Sequence, residues 1–184
     1  MEIDRLIEKT QNLIEYIKSV NPDITHLDKK HAPLIAQIIS NYNLKEVPPG
    51  TIPEAQMIFL GAPTGAGKDT LLRKIELDNP DINFVSLNMD MFRHYHNEII
   101  GSDDFISDKD YARTTNQTSY ELYYIIQEIL LREFPGTNII VNTSIATKPF
   151  LFIKSPSNCM YNIHFIVVFV NYSISFIILF ANNL

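Results

Sequence analysis

The sequence predicts an α/β fold, a parallel sheet flanked by helices in three layers, with a helical extension ahead of it. Three observations point there. From Gln56 onward, short β-branched and aromatic runs alternate with segments of helical period. The first of those runs feeds straight into a glycine-rich loop and then a helix. Before them, Met1–Tyr42 carries two helical patterns and no strand pattern.

Taken in order, Ile3, Leu6, Ile7, Leu13, Ile14 and Ile17 recur at helical spacing, which predicts an amphipathic helix over Glu2–Ser19. Asn21-Pro22-Asp23 ends it. A second helix is expected over His31–Tyr42, with Leu34, Ile35, Ile38 and Ile39 as its apolar stripe. Val47-Pro48-Pro49-Gly50 reads as a linker, so residues 1–52 form an extension and 53–184 the main domain. Met57–Leu60 is expected as a buried strand and Asp69–Leu77 as the helix after the loop. Ile82–Leu87 is a second strand, Met91–Glu98 a short helix and Thr114–Phe134 a long one, closed by Pro135-Gly136. Asn138–Val141 and Ile163–Val170 are the third and fourth strands.

Bulk composition narrows the function. A 46% hydrophobic and 20% charged chain of 184 residues suits one folded domain and excludes a mainly disordered protein. Its net charge of −6, with no basic stripe, argues against a nucleic-acid partner. Cys159 is the only cysteine, so no internal disulfide can form. With no export signal in Met1–Ser19, a cytoplasmic location is expected.

The loop Gly61-Ala62-Pro63-Thr64-Gly65-Ala66-Gly67-Lys68-Asp69-Thr70 is the strongest chemical signal. Gly65 and Gly67 permit a tight turn whose N–H groups face phosphate oxygens. The helix that follows turns its positive end toward the same anion. Lys68 can reach the outer phosphates, and the Thr70 hydroxyl can serve a magnesium ion. Ala62 stands where the usual pattern has its first glycine, and Asp69 takes the common Ser/Thr place. The strand and helix on either side favour a P-loop phosphate cradle over the alternative of a ligand-free glycine turn.

Asp90 lies about twenty residues past Lys68, after the second strand. A carboxylate there can take a proton from an acceptor hydroxyl, and Arg93 can add a cation. The alternative is that Asp90 only caps the next helix. His94 and His96, two residues apart, do not form a metal pair.

These pieces resemble the zeta-toxin family, kinases of UDP-N-acetylglucosamine or related sugar nucleotides. The resemblance rests on Gly61–Thr70, on Asn88-Met89-Asp90-Met91-Phe92-Arg93 with His96, on Thr118-Ser119-Tyr120-Glu121, and on the strand Asn138–Ser144. It covers roughly Pro53–Thr147, with a strand-like match at Tyr161–Val170. It implies that Asp90 is the base, that Lys68 and the loop residues Gly61 and Pro63 to Thr70 hold ATP with Mg2+, and that Arg93, His96, Glu121 and Thr143 contact the sugar nucleotide. It also implies an antitoxin partner.

The chain departs from the family in three places, one of them Asn97 after His96, where the family often has proline. Asn142 stands where the family has an acidic residue, and Ser173–Leu184 holds no arginine where the family has phosphate-clamping ones. The domain therefore reads as incomplete at its C-terminal end. Two alternatives to a sugar-nucleotide kinase stay open: a catalytically inactive nucleotide-binding remnant, and a kinase of nucleotides or small metabolites. No charged residue follows Lys154. Ile163–Phe180 is long enough to pose a membrane span, but its β-branched content and the interrupting His164, Asn171, Ser173 and Ser175 favour a strand followed by a remnant helix.

Overall fold

Apolar period decides the elements. A computed structural model describes residues 2–42, 44, 47, 54–62, 67–101, 107–144, 160–168 and 177–183. The side chains from residue 143 onward, and that of Ala62, lie outside what is described. By its internal contacts the chain groups into two units, Met1–Glu46 with Asn88–Glu133, and Val47–Leu87 with Phe134–Leu184.

The second unit holds the sheet. Its strands are β1 (Glu54–Ala62), β2 (Phe84–Asn88, whose last residue passes into the other unit), β3 (Asn138–Ser144), β4 (Met160–Val168) and β5 (Ile177–Asn183), and their order is β2-β3-β1-β4-β5. β1 runs parallel to both β3 and β4, so it sits at the point where the connections diverge to either side. Successive residues of a strand face opposite sides of a sheet. Met57, Ile58 and Leu60 of β1 and Ile139, Ile140 and Val141 of β3 are all buried, so both faces are covered there. This is the pattern of a parallel sheet, and it explains why these strands read as unbroken apolar runs. On one face Ile58, Leu60 and Ile140 pack against Leu71, Leu72 and Ile75 of α3 (Lys68–Asp78), with Phe84 of β2 beside them.

The tail departs from the sequence expectation. Ile177–Asn183 is a strand, β5, antiparallel to β4 from the Val168–Ile177 pair to the Asn162–Asn183 pair. The expected remnant helix is therefore corrected: Ile177, Ile178 and Phe180 are β-branched or aromatic, and pairing on β4 satisfies their backbone groups. No helix among the described residues is long and apolar enough to cross a membrane. Phe169 and Val170, the end of the expected fourth strand, and residues 171–176 lie outside the described residues.

The first unit is helical. α1 (Ile3–Val20) buries Leu6, Leu13, Ile14 and Ile17, and α2 (Ala32–Ser40) buries Ile35, Ile38 and Ile39. α4 (His96–Ile99) is a single turn, and α5 (Asp108–Glu133) is the long helix, burying Leu122, Ile125, Ile126 and Ile129 along one stripe. Each such aliphatic side chain contributes about 1.5–3 kcal/mol when taken from water. At the start of α5 the Asp110 N–H bonds the Ser107 hydroxyl at 3.2 Å, which satisfies one of the donors that a helix start leaves open.

Between α1 and α2, a short 3-10 turn (Lys29–His31) is held by a reciprocal cap. The Asp28 carboxylate accepts from the Lys30 N–H, and the Asp28 N–H donates to His31 Nδ1 at 3.0 Å. His31 is 5% exposed, and burial holds its pKa below the usual 6.5, against the opposing pull of Asp28. An Nδ1 that accepts a hydrogen bond must be unprotonated. The unfolded chain therefore takes up a proton at higher pH than the folded chain does. Stability from this group is complete above about pH 6.5 and is lost as pH falls through the lower folded value. Unfolding free energies at pH 5 and pH 7.5 should differ less in His31→Asn than in the unmodified chain. Equal differences in the two proteins would remove His31 from the acid sensitivity.

Candidate active site

In the sheet unit, β1 ends in Gly61 and Ala62 and the chain re-enters the described residues at Gly67. Pro63, Thr64, Gly65 and Ala66 lie outside them. Gly67 has φ 80° and ψ 23°, a left-handed conformation that costs a residue with a Cβ about 1–2 kcal/mol. It sits directly before α3, and no side chain caps that helix. A left-handed glycine opening an uncapped helix of eleven residues leaves the positive end of the helix available to an anion. Lys68 is the first residue of that helix, and Asp69 and Thr70 are exposed in its first turn. β-register places the backbone of Thr143 beside Gly61, which also pairs with Val167 of β4. The carboxyl end of β1, with its neighbours on both sides, is where ligands gather in open α/β sheets. An uncapped helix start with a lysine and a hydroxyl in its first turn is chemistry that suits a nucleoside triphosphate. Asn142, next to Thr143, is 5% exposed and pairs in register with Leu60.

In the helical unit, a 3-10 segment (Met89–Tyr95) leads from the end of β2 into α4. Its cap is Asn88, whose side-chain oxygen accepts the Asp90 N–H at 3.0 Å. Asp90 is thus the capped residue and not the cap, which removes the alternative raised from sequence. Its side chain is 70% exposed, and its Oδ1 accepts from Arg93 Nε at 2.8 Å. Arg93 is itself held from the other side. Its Nη1 donates to the Ala112 carbonyl at 2.6 Å and to Thr115 Oγ1 at 3.0 Å. Thr115 is fully buried and gives its own hydroxyl proton to the Tyr111 carbonyl, so a lone pair faces Arg93. The result is an exposed carboxylate on a guanidinium that α5 fixes in place.

His96, 4% exposed, shares a 2.8 Å hydrogen bond between its Nδ1 and the buried Thr118 hydroxyl. Thr115 and Thr118 lie one turn apart on α5 and brace the Asp90 segment at two points. Neither threonine stood out as a brace in the sequence, although a threonine repeated at i and i+3 in a buried stripe is the trace of such a face.

Glu121 is fully buried. Its carboxylate accepts from the backbone N–H groups of Thr25, His26 and Leu27, at 2.9 Å, 2.9 Å and 2.8 Å. The Thr25 hydroxyl donates at 3.1 Å and Gln117 Nε2 at 3.0 Å. Gln117 Nε2 also reaches the Asp23 carbonyl at 2.7 Å. The residue that the resemblance implies for a sugar nucleotide is here engaged by the loop between α1 and α2. Arg93, His96 and Asp90 form one neighbourhood around α5, and Glu121 stands a turn further along the same helix with a different set of partners.

A family model described as Zeta toxin matches residues 44–175. Among solved structures, the chain is similar to one from the PezAT chromosomal toxin-antitoxin system of the human pathogen Streptococcus pneumoniae. The TM-score is 0.54 at 18% identity, over 79% of this chain and 60% of that one, so the likeness is one of fold. This chain spans 60% of the length of that relative. No curated protein matches it. The family match begins ahead of β1, runs past β4 and takes in both Gly61–Thr70 and the Asp90 segment; on that extent the chain belongs to the zeta toxin family.

Proposed function

We propose that this protein is an ATP-dependent kinase that phosphorylates a hydroxyl of a sugar nucleotide such as UDP-N-acetylglucosamine. The observation that carries the proposal is Asp90. It is an exposed carboxylate, needed neither as a cap nor in the core, whose Oδ1 is fixed by an arginine that α5 anchors. A carboxylate so held can accept the acceptor's hydroxyl proton as the new O–P bond forms.

Lys68, the loop amides and the end of α3 would hold the triphosphate, with Thr70 offering its hydroxyl to magnesium. Mg-ATP, when bound, supplies the transferable phosphoryl group. Holding the phosphate and ordering the base are the two tasks that this reading gives these residues, because phosphoryl transfer depends on positioning and electrostatics. Arg93, His96, Glu121 and Thr143 are assigned to the sugar-nucleotide side, and an antitoxin protein is the partner that the fold relative's system suggests.

A second reading has one specific observation behind it. Asn142, buried at the end of β3, puts a neutral amide where the family resemblance implies an acid near magnesium. A nucleotide-binding protein without turnover would follow. Product analysis with Mg-ATP and UDP-N-acetylglucosamine separates the two. A phosphorylated sugar nucleotide formed by the unmodified chain, and not by Asp90→Asn, is the result expected of the kinase. No product, with ATP still raising the melting temperature, selects the inactive form.

A further inference from the structure

We infer that the segment Asp23–Leu27 competes with the sugar nucleotide for Glu121, so that the resting chain holds its own acceptor site closed. The inference rests on the sugar-nucleotide reading above and concerns the regulation of that same site. It begins with the capacity of one side chain. A carboxylate offers about four lone-pair positions. Glu121 already receives three backbone N–H groups, a threonine hydroxyl and a glutamine amide. His26 Nδ1 lies a further 3.3 Å from Oε1. No acceptor position is left for the hydroxyl of a sugar, and none of the side chain is exposed. Contact between Glu121 and a sugar nucleotide therefore requires the segment to leave.

The arrangement has the parts of a removable strap. Three consecutive N–H groups converge on one carboxylate, a backbone concavity of the kind that binds anions. Glu121 lies inside the region matched to the family, whereas residues 23–27 lie outside it. The strap is fastened to α5 by few side chains: Gln117 bridges the Asp23 carbonyl and Glu121, and the exposed Thr25 adds its hydroxyl. Ile24 and Leu27 are buried anchors, and Lys18 Nζ holds the Leu27 carbonyl at 2.8 Å. The backbone N–H groups of Thr25, His26 and Leu27 are all held, so the closed form dominates until a competing ligand or a partner draws it off.

Two measurements on the full chain test this. The first follows amide hydrogen exchange at Thr25, His26 and Leu27 with and without saturating UDP-N-acetylglucosamine. Exchange at these amides should rise at least several-fold when the sugar nucleotide binds. The second measures the affinity of the same ligand for Thr25→Ala/Gln117→Ala, which removes two side-chain fastenings and leaves the core intact. Affinity should increase about tenfold, because the open form becomes more populated. Binding with the three amides still protected, or with equal or weaker affinity in the variant, overturns the competition and leaves the kinase reading standing. Failure of either chain to bind the sugar nucleotide overturns that reading and the strap together.

Discussion

Replacing Glu121 by alanine should destabilise the protein by about 3–5 kcal/mol, the largest stability effect expected from any single polar side chain here. The reason is the number of donors left behind. Thr25, His26 and Leu27 would keep their N–H groups pointed at an empty space, in a loop whose Leu27 and Ile24 are buried. A buried donor without a partner costs about 1–3 kcal/mol, more than the same bond contributes when it is made. For a chain of this size the melting temperature should fall by about 10 °C. Glu121→Gln keeps one oxygen but sets an NH2 group against N–H donors, so its loss should be intermediate. Glu15, on the same unit, pairs with Lys29 at the surface, where its side chain is 59% exposed. Glu15→Ala should change stability by less than about 0.5 kcal/mol. A Glu121→Ala protein as stable as Glu15→Ala would show that the loop does not depend on the carboxylate.

The strands β1 and β3 were legible because burial on both faces leaves an unbroken apolar run, as in Met57–Leu60 and Ile139–Val141. The glycine ahead of α3 was legible because a left-handed residue before a helix favours glycine, and Gly67 takes that conformation. Glu121 was visible as a residue and implied a ligand, yet its partners were not visible. They are backbone N–H groups, which every residue has, and they come from a loop about ninety-five residues away in the chain. Asn88 and Asp90 show the same limit at short range. Both are good capping residues, and only the backbone geometry tells that Asn88 accepts and Asp90 donates. β5 was missed for another reason. Without charges, Ile177–Asn183 carries no alternation to reveal a face, and pairing with β4 decided its form.

The second large effect is on turnover. Asp90→Asn should lower kcat about 10²- to 10⁴-fold while leaving nucleotide binding in place. An asparagine oxygen can still accept the Arg93 Nε–H, so the bridge from Asp90 through Arg93 to Ala112 and Thr115 should survive. What the amide cannot do is take a proton from an acceptor hydroxyl. Lys68→Ala should fail in the opposite way. At the head of α3 it removes the charge proposed to meet the outer phosphates, so ATP should no longer raise the melting temperature. If the unmodified chain binds ATP as proposed, ATP at a hundred times its dissociation constant should add about 2.7 kcal/mol, a rise of about 5–10 °C. The two variants thus separate holding the phosphate from moving the proton. If Asp90→Asn lost the ATP-dependent rise as completely as Lys68→Ala, Asp90 would belong to nucleotide binding and the base would have to be sought elsewhere. If it kept both the rise and the turnover, the exposed carboxylate would have no part in the chemistry.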